Sequence, residues 1–109
     1  MSATVFLAQR VTAAILAFLV VAHLSMIIAA EHAGLTAGAI LSRTHHNLVL
    51  FGFYALFVIA AAIHAPIGLR NIIAEWSGWR GRSLDLAMGA FALALLGLGL
   101  RAVFAVYSA

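Results

Sequence analysis

The sequence predicts an all-α integral membrane protein, a bundle of three transmembrane helices. Of its 109 residues, 66% are hydrophobic and only 8% charged. Mean hydropathy is +1.16, well above that of a soluble domain. Three apolar runs each reach the roughly 20 residues that cross a bilayer core. The whole chain, residues 1–109, reads as a single transmembrane domain with spans at about 5–30, 46–75 and 84–107.

The first run, from Val5 to Ala30, starts behind almost no polar leader and exceeds the apolar core of a signal peptide. It ends in "AAEHAG" without a convincing exported domain after it, so it reads as a retained span. The connection "EHAGLTAGAILSRTH" carries Gly34, Gly38 and polar residues and reads as a loop. The second run, from His46 to about Glu75, contains Pro66, whose ring crowds the carbonyl of Ala62 and predicts a bend near His64. After "WSGWRGRS", Ser83 reads as the N-cap of the third helix with Asp85 in its first turn. Gly89 and Gly97 recur on one face of that helix and read as contacts within the bundle, with a subunit seam or clearance for a flat cofactor as the alternative.

Cysteine is absent, which excludes disulfides, thiolate nucleophiles, iron-sulfur ligation and thiolate-bound haem in this chain. The net charge of +3 rests on six arginines and no lysine. Arg10, Arg70, Arg80 and Arg82 fall at one membrane face, Arg43 and Arg101 at or near the other. By the positive-inside bias, the N-terminus and second connection are cytoplasmic and the C-terminus lies outside. Trp76, Trp79 and Tyr107 stand at headgroup level. The basic charge therefore reports topology in a lipid bilayer, and no nucleic-acid partner is expected.

Five histidines are present. His32, His45 and His46 lie in or beside the outer connection, where a solvated imidazole needs no explanation, although one near the interface can exchange protons at an outer quinone pocket. His23 and His64 fall well inside spans, where each needs a protein partner or a cavity. A bond to a neighbouring carbonyl would satisfy either. Gly68, Ala60 and Ala61 clear bulk from the His64 face, which suits an edge-on porphyrin whose iron takes a neutral imidazole nitrogen. Arg70, toward the cytoplasmic rim, is placed to pair with a propionate or simply to snorkel.

Counting about 1.5 Å per residue from the span midpoints sets His23 and His64 about 12 Å apart in depth, too far for one haem to use both. Levelling Arg10 with Trp76 instead makes the depths nearly equal; the midpoints are the preferred reference. Each histidine then serves a separate haem, with the second axial ligand from another chain. An identical copy would pair them about a two-fold axis.

Over roughly residues 5–80 the chain resembles the cytochrome b membrane anchors of succinate:quinone oxidoreductases, the succinate dehydrogenase and fumarate reductase group. "QRVTAAILAFLVVAHLSMI" is similar to the family's first helix, with His23 at the haem-ligand position of two-haem anchors. "IHAPIGLR" is similar to its His-x-x-x-Gly pattern, with His64 matching the ligand of the haem nearer the cytoplasm. Arg10 matches the arginine near the inner quinone pocket, Trp76 falls where some members have a quinone-bonding tyrosine, and Glu75 where they have an aspartate. Two departures stand out: tryptophan has an N–H donor but no hydroxyl, and Phe6 occupies the place of a polar serine.

The resemblance implies one or two haem b groups, bound by His23 and His64 with Gly68 and Arg70 around them, and a quinone site at Arg10, Glu75 and Trp76. It implies an iron-sulfur subunit and a flavoprotein as partners, docked on the loop of Arg80 and Arg82, and a second copy or sister anchor in the bilayer. Electrons would pass between the iron-sulfur subunit and membrane quinone, in what is expected to be a bacterial inner membrane. Two other readings stand beside this one. One is a haem-free structural anchor whose histidines bond across helices. The other is a small multidrug-type transporter, disfavoured because Glu31, Glu75 and Asp85 all lie at span ends.

Overall fold

The computed structural model describes residues 2–109 and contains four helices: α1 (Ala3–Ala33), α2 (Ala37–Thr44), α3 (Leu48–Ser77) and α4 (Arg82–Ser108). Of these, α1, α3 and α4 are long and apolar enough to cross a membrane. The all-α membrane bundle expected from composition is what forms. Its long axis is 47 Å and the other two are 23 Å, against about 40–45 Å for a bilayer with its headgroups.

Outward faces carry large apolar side chains, with Phe18 and Val49 each 81% exposed and Leu93 71% exposed. Inward faces are built from small ones, including Ala60, Ala62 and Ala74 on α3. Lipid is as apolar as leucine, so helices in it associate through close packing of small residues rather than by hiding oily ones.

The middle place belongs to α3, which packs on α1 along one side and on α4 along the other. By contrast α1 and α4 hardly touch. Three relationships fix the α1/α3 register as antiparallel: Thr12 beside His64, Gln9 over Gly68, and His23 against Tyr54. Between α3 and α4 the matching relationships are Val58 with Gly99, Phe51 with Phe104, and Arg70 with Asp85.

Helix starts follow local chemistry. Ser2 Oγ accepts from Val5 N, and Asn47 Oδ1 accepts from Leu50 N, each covering an N–H that a first turn leaves unpaired. Gly78 closes α3 in the left-handed conformation, at φ 76°, where a Cβ is disfavoured. Pro66 lies buried inside α3, which continues through it.

Three local expectations are corrected. The first connection holds α2, capped by Thr36 Oγ1 accepting from Ala39 N, rather than an unbroken loop. Ser83 does not cap α4; the helix starts at Arg82 after Gly81, whose φ of 92° makes the turn, and Ser83 Oγ instead accepts from Trp79 Nε1–H at 2.7 Å. Gly89 and Gly97 are exposed with open space where a Cβ would stand, and the glycine that α3 touches is Gly99. Two residues turn a helix by about 200°, so the Gly89/Gly97 face points away from α3 and the packed small residue lies on the opposite side.

Candidate functional site

His64 sits half-buried between α1 and α3, with its Nδ1 3.3 Å from Thr12 Oγ1. Thr12, only 6% exposed, is the buried polar side chain of α1. Its single hydroxyl hydrogen goes to Ala8 O at 2.7 Å, with Gln9 O farther off at 3.2 Å, the usual back-bond of a threonine within a helix. The oxygen is thereby left with acceptor capacity toward His64 Nδ1, which a ring protonated at Nδ1 would satisfy. A neutral imidazole protonated at Nδ1 carries its lone pair on Nε2. No group among the described residues bonds that nitrogen.

His23 has a different setting. Its ring meets Tyr54 and Phe57 edge to face, at centroid distances of 5.6 and 5.5 Å. Its Nδ1 is buried with no hydrogen-bond partner. The ring lines an open groove of about 400 Å³ in the wedge where α1 and α4 part, walled by Tyr54, Phe57, Gly99 and Val103 and bordered by Thr44 of α2. Its volume falls in the range of small-molecule sites, about 300–1,000 Å³. Because α1 and α3 are antiparallel, His23 is level with about Tyr54, ten residues along α3 from His64, or roughly 15 Å at about 1.5 Å per residue. The two histidines therefore occupy separate levels, as the midpoint count expects.

The same register separates Arg10 from Glu75 and Trp76. Arg10 is level with Pro66, whereas Glu75 and Trp76 stand below the start of α1, so Arg10 and Trp76 are not level. The structure does not gather Arg10, Glu75 and Trp76 into one cluster: Arg10 lies over the Phe6 ring at 5.8 Å, and Trp76 is 87% exposed. Arg70 Nε donates to Asp85 Oδ1 at 2.5 Å, and its terminal nitrogens have no partner among the described residues. Arg70, Asp85, Asn71, Ile67, Val5 and Ser2 enclose a cavity of about 420 Å³ at this end. Over Gly68 lies Gln9, whose Nε2 would be 3.2 Å from a Cβ there and whose Oε1 is buried without a partner.

The sequence matches the succinate dehydrogenase/fumarate reductase transmembrane subunit family over residues 1–106. The chain belongs to this family. No curated protein and no solved structure matches it. As a membrane anchor subunit of this kind it is not a multidrug-type transporter, and its end-of-span carboxylates fit that: Glu31 and Glu75 are exposed and Asp85 is held by Arg70.

Two polar residues of the anchor's first helix escaped the sequence reading. Thr12 and Gln9 look like ordinary helix residues in "AQRVT", and only the register sets them opposite His64 and Gly68. A signal was nevertheless present, since Gln9 and Thr12 are three residues apart and share a helix face. At the opposite end of the bundle, His46 takes a positive φ of 53°, stacks on His45 at 3.9 Å, and donates its backbone N–H to Tyr107 O. Those histidines tie the first connection to the end of α4. Among the described residues, no three His, Asp or Glu side chains come together as a metal site.

Proposed function

We propose that this anchor subunit holds haem b at two levels, through His64 toward the cytoplasm and His23 toward the outside, and passes electrons between an iron-sulfur subunit and membrane quinone. The observation that carries the reading is the setting of His64: Nδ1 lies 3.3 Å from a Thr12 oxygen whose own hydrogen is turned to Ala8 O, which favours Nδ1–H and an unshared pair on Nε2, and Nε2 has no partner among the described residues. A ligand histidine needs that arrangement, one ring nitrogen anchored and the other free. His23 adds a second imidazole in the spans with a nitrogen left unsatisfied, beside an open groove.

Bound there, haem would supply one-electron chemistry at a potential set by its axial ligands and the dryness of the site. The chain's own part is to orient two imidazoles, exclude water and hold charge at the rim. Arg70 keeps its terminal nitrogens for a propionate while Asp85 steadies its Nε. Gly68 keeps the α3 surface low, with only the flexible Gln9 amide above it. Each level offers one histidine, so a second copy or a sister anchor would complete the axial pair. Quinone is assigned to the cytoplasmic end, with Glu75 and Trp76 offering an acceptor and a donor near the lipid boundary and Arg10, which the chain sets about ten residues deeper, as a separate donor, and Arg80 and Arg82 face the iron-sulfur and flavoprotein subunits. This orientation, N-terminus in the cytoplasm of a bacterial inner membrane, rests on the arginine bias.

One observation favours a second reading. His64 does bond across helices, so a haem-free anchor would account for it, though not for the orphaned nitrogen of His23. The reduced-minus-oxidised absorption spectrum of the purified complex separates the two. Sharp bands of low-spin b haem, lost in part in His64→Ala, are expected; a colourless complex removes the haem reading.

A further inference from the structure

We infer that Thr12 is the positioning residue that fixes the tautomer of His64 and so selects Nε2 as the nitrogen offered to an iron; this rests on the haem reading above. Threonine has one O–H, and the Ala8 carbonyl at 2.7 Å takes it in preference to Gln9 O at 3.2 Å. What remains on Oγ1 is acceptor capacity alone, aimed at His64 Nδ1 from 3.3 Å. Had the hydroxyl been free to rotate, it would satisfy either tautomer; spent on its own helix, it satisfies one.

Rigidity follows from the same residue. A β-branched side chain in a helix has few χ1 choices, and the back-bond and 94% burial leave Thr12 fewer still. The acceptor next along α1, Gln9 Oε1, is buried but makes no bond, so Thr12 alone anchors the ring from this helix. Serine at position 12 would keep the back-bond and the acceptor. Valine would keep the shape and remove both, leaving Nδ1–H without a partner and favouring the tautomer that closes Nε2 to a metal.

The test has two readouts. In the full chain, ¹⁵N-histidine-labelled in lipid nanodiscs without haem, NMR reports the His64 tautomer, assigned by the resonance lost in His64→Ala. Wild type and Thr12→Ser are expected to be protonated at Nδ1, and Thr12→Val and Thr12→Ala to shift toward Nε2–H; an unchanged tautomer in both overturns the inference. In the assembled complex, Thr12→Val should bind haem about 10- to 100-fold more weakly, the usual effect of losing a ligand's outer partner, with Thr12→Ser restoring it. A wild-type complex without haem would sink the haem reading and leave the tautomer result standing. Coloured wild type with Thr12→Val equal to it in affinity and midpoint potential would sink the role of Thr12 and leave the haem reading intact.

Discussion

A Cβ placed on Gly99 would stand 2.5 Å from Val58 Cγ1 and 3.3 Å from Val58 Cβ, so α4 meets α3 with its backbone against a branched side chain. Valine has few rotamers in a helix and cannot swing clear. Gly99→Ala should therefore push the helices apart and destabilise the bundle by about 1–3 kcal/mol, the usual range for overpacking. Unfolding of the lipid-embedded chain measures this, and the double variant with Val58→Ala should recover much of the loss. An unaltered Gly99→Ala would mean the contact is looser than described.

How much of this was legible beforehand divides by the kind of signal. Apolar runs long enough to cross a bilayer announce themselves, and three helices of that length and composition form. The intramembrane histidines were visible as anomalies for the same reason. Which residues they face was not, because that depends on register between helices, and register is a property of pairs. Thr12 and Gln9 became meaningful only once α1 and α3 were laid side by side, and Gly99 rather than Gly97 is the contact because of how α4 is rotated. The eight-residue α2 was missed since its stability comes from a Thr36 cap and from Thr44 donating to Val106 O, a bond spanning 62 positions.

Asn47 joins two helices with one amide. Its Oδ1 accepts from Leu50 N at 3.1 Å to start α3, while Nδ2 donates to Arg43 O at 3.1 Å near the end of α2. Asn47→Ala loses both bonds and should cost about 0.5–2 kcal/mol. Asn47→Asp keeps the cap and loses only the second bond. Hydrogen exchange at the Leu50 amide is expected to accelerate in the alanine variant and stay slow in the aspartate one; equal acceleration in both would argue against the cap.

The Arg70–Asp85 pair joins the C-terminal part of α3 to the start of α4, with side chains 39% and 55% exposed. Exposed pairs contribute about 0–1 kcal/mol and are screened by salt. Asp85→Asn should therefore lower stability by less than about 1 kcal/mol, and the difference from wild type should shrink as salt is raised. Denaturation at low and high ionic strength checks both points. A larger, salt-independent loss would indicate that the pair is shielded in the assembled complex.

His23 offers the sharpest separation between a structural and a ligand role, because nothing among the described residues bonds its Nδ1. Removing a buried polar group that has no partner is close to neutral or stabilising when the replacement has a similar shape. Between Tyr54 and Phe57, phenylalanine keeps the edge-to-face contacts and leaves no nitrogen to desolvate. His23→Phe should thus leave the isolated chain at least as stable as wild type, unlike His64→Ala, which abandons the Thr12 acceptor. In the assembled complex the same substitution should remove the outer haem and spare the inner one, read as a partial loss of the reduced-minus-oxidised signal. Full haem content would take His23 out of the ligand set, whereas a marked loss of stability in the isolated chain would mean that the ring has a polar partner after all.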